Sequence, residues 1–248
     1  MSHYTSDEMM TIAAARALTG NVVCLVGIGL PSTAANLAHR LHAPDIVLVY
    51  ESGCIGSKPQ RLPASIGDGI LSEGADAVVG LSEIFSCWIQ AGRIDVGFLG
   101  AAQIDRFANL NTTVIGPYAR PKVRLPGAGG APEIAACCGE VIITLRHGLR
   151  AFVDKLDFVT TVGHGDGGDH RERLGLHGRG PREVITDLGI LRPDLESKEL
   201  VLTSLHPGAT LDQVCHATGW ELRTADQIAQ TEPPTARELN VLRELMRG

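Results

Sequence analysis

The stretch Asn21–Gly53, which reads NVVCLVGIGLPSTAANLAHRLHAPDIVLVYESG, decides the fold class. Its first apolar run predicts a β-strand, and a glycine-bearing turn follows, in which Pro31 is well placed for the first turn of a helix. That helix continues through residues 36–41. The second apolar run, PDIVLVYES, predicts a strand that is apolar on both faces, as expected where helices cover a sheet on both sides.

Strand and helix signals alternate outward from this stretch to about residue 163. Thr5 and Glu8 fit a capping box, and an Ala-rich helix follows to about Leu18. The segment LSEIFSCWIQAGR has apolar residues at helical spacing. Further strands are predicted in ADAVVG, IDVGFLGAAQID, GEVIITLRHG and LDFVTTVGHG. The fold class is therefore α/β, an open, largely parallel sheet with helices on both faces.

The last third of the chain begins with a glycine-rich segment at 163–181, GHGDGGDHRERLGLHGRGP, which predicts a long loop. A β-like EVITD, the strand signal KELVLTSLHPG and two helices follow. The last helix is expected to begin at Thr235, which has Glu238 three residues on. No repeat or linker divides the chain, so we expect one domain over residues 1–248.

Composition excludes several classes of protein. Of the 248 residues, 44% are hydrophobic, which indicates a globular chain. The 22 basic residues leave a net charge of −6, so we expect no nucleic-acid partner. No apolar run approaches the roughly 18 residues of a membrane span. The first ten residues, MSHYTSDEMM, carry acids where a signal peptide would carry bases, so we expect a cytoplasmic location.

Glu51 is the first candidate functional residue, because it comes directly after the second buried strand. Ligands of open α/β sheets bind outside the carboxyl ends of the strands. A carboxylate at such a position can act as a general base, a nucleophile or a metal ligand. The alternative is an ordinary acid that caps the turn after the strand, and position alone does not decide between them.

A glycine-rich loop, LPGAGGAPEIA at 125–135, is the second candidate. Closely spaced glycines expose successive backbone N–H groups, which suit an oxyanion or a phosphate. The alternative is a plain tight turn. The earlier GIGLPS is a weaker form, since Ser32 stands where a dinucleotide-binding motif has its third glycine, and this disfavours a nicotinamide site.

Two further groups of polar residues have a functional and a structural interpretation. The bases near the glycine-bearing loops could hold a carboxylate or phosphates, or could simply be solvated; they are Lys58, Arg61, Lys122 and Arg124. The acids and histidines of the glycine-rich segment could suggest a metal; they are His164, Asp166, Asp169 and His170. Their spacing matches no standard ligand set, which favours a solvated loop.

In combination, these motifs resemble a known family. The ESG after a strand, the GAGGAPEIA loop, VGFLGAAQIDRFANLNTTVIG and VDKLDFVTTVGHGDGGDHRERLGLHGRGP, in this order, are similar to B subunits of class I CoA-transferases of the glutaconate CoA-transferase branch. The resemblance covers nearly the whole chain. It implies the open α/β fold of those enzymes and a partner chain, the homologous A subunit, in an α2β2 heterotetramer or a larger multiple.

The resemblance also implies a reaction and its residues. CoA would pass from succinyl-CoA to a dicarboxylate, with 3-oxoadipate as the expected acceptor, through a thioester on Glu51. CoA and acyl-CoA would be substrates, with no cofactor and no metal. The alternatives are a glutaconate-type transferase, a CoA-ester hydrolase and a non-catalytic partner subunit. The resemblance places further residues at the thioester or near it: Gly127, Ala128, Gly129, Gly130, Gln103 and Asn109.

Overall fold

The computed structural model describes residues 3–247 and contains a ten-stranded sheet. Along the sheet, the strands follow the order β14-β13-β12-β11-β10-β5-β1-β2-β3-β4, and the remaining four form two hairpins, β6-β7 and β8-β9. The strands are β1 Val23–Leu25, β2 Val47–Val49, β3 Cys54–Ile55, β4 Ala77–Val78, β5 Val96–Leu99, β6 Gln103–Ile104, β7 Leu110–Asn111, β8 Val114–Ile115, β9 Val123–Arg124, β10 Glu140–Thr144, β11 Pro181–Ile185, β12 Gly189–Pro193, β13 Leu200–Leu205 and β14 Arg223–Gln230.

Helices cover both faces of this sheet. They are α1 Ser6–Arg16, α2 Leu30–Leu41, α3 Leu81–Glu83, α4 Ala131–Cys137, α5 His170–Arg173, α6 Leu211–His216 and α7 Ala236–Arg247. A π-helical segment, Ile84–Ile89, continues α3, and a 3-10 turn spans Gly69–Leu71. No helix within residues 3–247 combines the length and the apolar character needed to cross a membrane.

The prediction of a largely parallel sheet is confirmed for its centre. The five strands in the order β11-β10-β5-β1-β2 are all parallel. Beyond them, β11-β12, β12-β13, β2-β3 and β3-β4 pair antiparallel, while the outermost pair, β13-β14, is parallel. Short connections account for β2-β3, β11-β12 and β12-β13, because a tight turn can join only antiparallel neighbours, whereas β3 and β4 are joined by the longer segment 56–76.

Alternate residues of the central strands enter two separate cores, as the apolar pattern of both strands predicts. Leu48 of β2 belongs to the core under α1, α2 and α7, while the next residue, Val49, belongs to the core on the other face. The capping box of Thr5 and Glu8 is present at α1. Thr235 and Glu238 likewise exchange hydrogen bonds at the start of α7.

Several predicted elements differ from the structure. LDFVTTVGHG forms no named strand, and only Thr161 makes an isolated bridge, to Leu110. ADAVVG is a two-residue, exposed edge strand. The exposed, polar β14 and the Arg- and Pro-containing β12 escaped prediction because neither has a continuous apolar run.

The buried face of the predicted helix at residues 81–93 differs in part from the one the sequence indicates. Leu81 is 59% exposed, whereas Ile84 and Ile89 are fully buried. The segment winds as a π-helix, in which residues five apart share a face, and Gln90 N–H donates to the Phe85 carbonyl oxygen at 2.9 Å. Of the residues that the sequence places at α-helical spacing, Leu81, Phe85, Trp88 and Ile89, only Leu81 is exposed; that spacing also missed the buried Ile84.

The glycine-rich segment at 163–181 is not a solvated loop. It contains α5, and the buried Arg171 guanidinium donates to the carbonyl oxygens of Gly163 at 2.7 Å, Gly178 at 2.8 Å and Ala135 at 2.9 Å. The glycine-rich composition did not reveal this structure, because the segment is ordered by a single side chain, Arg171, that donates to several backbone carbonyl oxygens. The arginine also attaches the segment to the end of α4.

Candidate active site

A cavity of about 560 Å³ opens at the carboxyl ends of the central strands. Its walls are the ends of β1 and β5, Thr144 of β10, Glu51 and the loop at 126–131. The chain places β2 on one side of β1 and β5 on the other, so the cavity lies at the point where the strand order reverses. Such a switch point is the usual binding site of an open α/β sheet.

A tight turn after β2 presents Glu51 to this cavity. The N–H of Gly53 donates to the Tyr50 carbonyl oxygen at 3.0 Å, which closes the turn around Glu51 and Ser52. Gly53 has a φ of 113°, and a Cβ there would collide with the carbonyl oxygen of Val79. Only glycine fits this position without displacing the neighbouring strand.

The residue before Glu51 anchors the turn in the core. Tyr50 is fully buried, and its hydroxyl lies 3.1 Å from Ser32 Oγ and accepts from Asn36 Nδ2 at 3.3 Å. Both partners belong to α2, the helix that follows β1. The catalytic candidate therefore extends from a turn held by a buried side chain rather than from a free loop.

The glycine-rich loop lies directly against Glu51. A Cβ on Gly130 would stand 2.6 Å from Glu51 Oε1 and 2.6 Å from Cζ of Phe85. Gly127 and Gly129 have positive φ, at 102° and 51°. Gly127 and Gly129 are therefore needed for their left-handed backbone, and Gly130 is needed because Glu51 and Phe85 approach it too closely for a side chain.

Backbone N–H groups of this loop are available to a ligand. Those of Ala128, Gly129 and Gly130 donate to no acceptor within residues 3–247. The loop is held at its start, because Gly127 N–H donates to the Thr112 carbonyl oxygen at 2.9 Å and Thr112 Oγ1 donates to the Gly127 carbonyl oxygen at 2.8 Å. The free donors beside a carboxylate suit an oxyanion.

The Glu51 carboxylate is half-buried and has no hydrogen-bond partner among the described residues. Burial, and then the neighbouring charge of Glu133, raise the pKa of the Glu51 carboxyl above its ordinary value. Glu133 lies in the first turn of α4. Sequence reasoning missed it, although its position three residues after Gly130 puts it one helical turn from the contact with Glu51.

Gln103 and Asn109 lie outside the lining of this cavity. Gln103 Nε2 donates to Asp157 at 2.8 Å, and its Oε1 accepts from Asn111 at 2.7 Å. Asn109 donates to Asp105 and to the Gly165 carbonyl oxygen, each at 2.8 Å. The structure therefore unites Glu51 with the glycine loop but not with these two amides, whose place near the substrate stays a prediction.

The amides instead belong to the support of the loop. Asn111, which donates to Gln103, immediately precedes Thr112, the residue that holds Gly127. Asn109 accepts from the N–H groups of Gly163 and Gly165, at 2.8 and 3.0 Å, and so ties the start of the glycine-rich segment. A polar residue that follows a strand can thus stabilise a neighbouring loop through hydrogen bonds instead of contacting a ligand.

The four bases singled out in the sequence differ in their surroundings. Lys58 pairs with Asp76 at 3.2 Å, and Arg61 makes two hydrogen bonds to Asp68, at 2.7 and 3.0 Å. Lys122 and Arg124 are exposed and have no carboxylate partner among residues 3–247. The first two are therefore engaged within the chain, and the last two are not.

The two histidines of the glycine-rich segment also have internal partners. His164 is buried, its Nε2 lies 2.9 Å from the Pro181 carbonyl oxygen, and burial lowers its pKa to about 4. His170 Nδ1 lies 3.1 Å from Asp166. Both rings help to hold the segment rather than face the cavity.

Comparison with known proteins identifies the family. Residues 7–217 match the model of the coenzyme A transferase family. The chain is 62% identical over 245 residues to the B subunit of 3-oxoadipate CoA-transferase from Pseudomonas knackmussii, a match that covers 99% of this chain and 94% of that protein. It is 36% identical over 250 residues to the B subunit of glutaconate CoA-transferase from Acidaminococcus fermentans, covering 98% and 92% of the two chains.

The fold agrees with a solved member of the family. The crystal structure of glutaconate coenzyme A-transferase from Acidaminococcus fermentans superposes with a TM-score of 0.92 at 35% identity, over 98% of this chain and 94% of that chain. The resemblance inferred from the ESG and GAGGAPEIA motifs is thereby confirmed. This chain belongs to the coenzyme A transferase family.

Proposed function

We propose that this chain is the B subunit of a CoA-transferase that moves CoA from succinyl-CoA to 3-oxoadipate, with Glu51 as the nucleophile. The observation that carries the proposal is the half-buried Glu51 carboxylate, which has no hydrogen-bond partner among the described residues and lies against Gly130, in a loop whose N–H groups at Gly129 and Gly130 have no acceptor among those residues. The 62% identity to one chain of a 3-oxoadipate CoA-transferase supports the choice of acceptor.

The first half of the reaction loads the enzyme. The Glu51 carboxylate attacks the thioester carbonyl of succinyl-CoA and expels the CoA thiolate, which forms a mixed anhydride of Glu51 and succinate. The thiolate then attacks the Glu51 carbonyl and expels succinate. CoA is now bound to Glu51 through a thioester, and no proton has been gained or lost.

The second half runs the same steps toward the acceptor. A carboxylate of 3-oxoadipate attacks the Glu51 thioester and expels the CoA thiolate, which forms a second anhydride. The thiolate attacks the acceptor carbonyl and releases the Glu51 carboxylate. Glutamate suits this chemistry because the anhydride and the thioester both retain the energy of the original thioester, whereas a serine ester would lose it.

The geometry supports each attack in two ways. A carboxylate that is partly removed from water and lies beside Glu133 is more basic than a solvated one, and is a better nucleophile. Each attack builds an oxyanion, which the N–H groups of Gly129 and Gly130 can stabilise. Loss of one such donor costs roughly 3–4 kcal/mol in other enzymes.

Substrate recognition requires a second chain. Among the described residues, no Lys or Arg side chain lines the cavity, although the far carboxylate of a dicarboxylate needs a cation. We expect that cation, and the remaining wall of the cavity, from a homologous A subunit. The naming of the relatives as B subunits supports this partner.

The test uses this chain co-expressed with its A subunit. The expected results are transfer of CoA from succinyl-CoA to 3-oxoadipate in preference to glutaconate or acetate, and little transfer by this chain alone. Glu51→Gln should abolish transfer with the fold unchanged, whereas Glu221→Gln, a change at an exposed glutamate, should leave it intact. A preference for glutaconate would establish the glutaconate-type alternative instead.

The intermediate can be located directly. Wild-type enzyme treated with succinyl-CoA alone should carry a thioester that borohydride reduces to an alcohol and hydroxylamine converts to a hydroxamate, both at Glu51 by peptide mass spectrometry. Modification of another glutamate, or of the A subunit, would contradict the assignment. Release of free CoA without an acceptor, as fast as transfer, would indicate a hydrolase.

A further inference from the structure

A charged hairpin directly precedes the glycine loop, and none of its residues lines the cavity. We call it the basic hairpin and define it as residues 114–124, which comprise β8, β9 and their connection. Arg120, Lys122 and Arg124 are all exposed. No acidic residue occurs from residue 106 to residue 132, so the positive charge of this stretch has no counterpart in its own sequence.

These three bases are also without ion-pair partners in the fold. None of them lies within 4.0 Å of a carboxylate in the described part of the chain, whereas Lys58 and Arg61 both do. The protein as a whole has a net charge of −6. An unneutralised basic surface on an acidic protein favours an anionic ligand from outside.

Contacts between side chains and backbone order the basic hairpin. The Arg124 guanidinium lies 4.9 Å from the centre of the Tyr118 ring, and its Nη2 donates to the Tyr118 carbonyl oxygen at 3.1 Å. Phe158 stacks on Tyr118, with ring centres 5.4 Å apart. Pro117 and Pro121 restrict the connection further. The charges are therefore presented from a preorganised support.

The hairpin is continuous with the site of the thioester. Leu125 N–H donates to the Thr113 carbonyl oxygen at 3.0 Å, and the pairing continues to Gly127 and Thr112. Lys122 precedes Gly127 by five residues, which for extended chain places its backbone about 16 Å from the glycine loop. A ligand that reacts at Glu51 and carries its phosphates at the far end of a long arm matches this separation.

We propose that the basic hairpin binds the phosphates at the nucleotide end of CoA, the 3′-phosphate and the diphosphate, while the thioester lies at Glu51. This rests on the proposed function, because it assigns the far end of the same substrate. The pantetheine arm would then run along the outer side of the glycine loop. Binding at the hairpin orients the thioester carbonyl toward the carboxylate.

The test compares two thioesters in the complex with the A subunit. Arg120→Gln/Lys122→Gln removes two charges and spares Arg124, which packs on Tyr118. Its kcat/KM for succinyl-CoA should fall up to about 30-fold, the upper end expected for two exposed ion pairs, whereas kcat/KM for succinyl-pantetheine, which lacks the nucleotide, should change less than threefold. The control Arg93→Gln/Arg237→Gln removes two exposed bases from other surfaces and should lower neither value.

Direct binding separates this proposal from the proposed function. Calorimetry with adenosine 3′,5′-bisphosphate should detect binding to the wild-type complex that weakens in the hairpin variant and with added salt, even if no transfer to 3-oxoadipate is found. Equal losses with both thioesters, together with failure to assemble with the A subunit, would show that the hairpin contacts the partner instead. Unchanged kinetics with both thioesters would also overturn the proposal.

Discussion

Gly130→Ala tests whether the glycine loop sets the position of the nucleophile. The added Cβ would lie 2.6 Å from Glu51 Oε1, and ordinary van der Waals contact begins at 3.4 Å, so the carboxylate must yield by 3.4 − 2.6 = 0.8 Å. A misplacement of about 1 Å can cost roughly a hundredfold in rate. We therefore expect kcat/KM for succinyl-CoA to fall about 30- to 100-fold.

Stability should change little in the same variant. Gly130 has a φ of −85°, which alanine adopts without strain. Restricting the unfolded chain stabilises by about 0.4–1 kcal/mol, and crowding of the Phe85 ring costs about 1–3 kcal/mol. Urea unfolding should then give a net loss between about 0 and 2.6 kcal/mol, so the loss of activity would not reflect loss of fold.

Two further variants make the test specific. Phe85→Leu in the Gly130→Ala background removes the ring atoms that lie 2.6 and 2.9 Å from the new Cβ, so the methyl group can move away from Glu51 and activity should partly recover. Gly148→Ala, where nothing lies within 4 Å, should be neutral. The reasoning would be refuted if kcat/KM of Gly130→Ala were within threefold of the wild-type value, or if the double variant recovered no activity.

Three other predictions follow from particular side chains. Glu133→Gln removes a charge that raises the pKa of Glu51, so the acid limb of the kcat/KM profile should move to lower pH, and an unmoved limb would exclude this coupling. Arg171→Met leaves backbone carbonyls without their charged donor and should cost roughly 3 kcal/mol in urea unfolding; a loss below about 1 kcal/mol would contradict the bracing role. Burial lowers the pKa of His147 to about 4, below its unfolded value, so the stability contributed by this ring should be lost as pH falls from about 6.5 to 4, by about 2 kcal/mol between pH 7 and pH 5. Because His164 has the same lowered pKa and adds its own loss, His147→Gln should remove the His147 part of the dependence and leave the rest.

Local chemistry made much of the fold predictable. The capping box at Thr5 and the helix start at Pro31 depend on neighbours three or four residues away, so the sequence contains all the parts. The doubly apolar pattern of β2 likewise requires burial on both faces, and the structure supplies it. The position of Glu51 at a strand end followed from the same pattern, since the apolar run ends at that residue.

The predictions that failed concern segments whose structure depends on residues far away in the sequence or on unusual helical winding. In the π-helical segment Ile84–Ile89, hydrogen bonds join residues five apart instead of four, so the buried positions are spaced differently from those of an α-helix. A search for the α-helical period of 3.6 residues cannot detect this spacing. The order of the segment at 163–181 comes from Arg171, whose acceptors include Ala135, 36 residues earlier. A glycine-rich composition has the same appearance whether or not such a side chain occupies its carbonyls.

The sequence by itself determined the α/β class, the nucleophile candidate and the glycine loop, because each is specified by a short run of residues. Only the tertiary structure decided that Glu51 lies against Gly130 and beside Glu133, that Gln103 and Asn109 support the glycine loop and the segment at 163–181, and that the bases of one hairpin remain unpaired within the described residues. The physical reason is that contact and charge pairing depend on distance in space, which the topology of the sheet sets by bringing strand ends far apart in the chain to one edge.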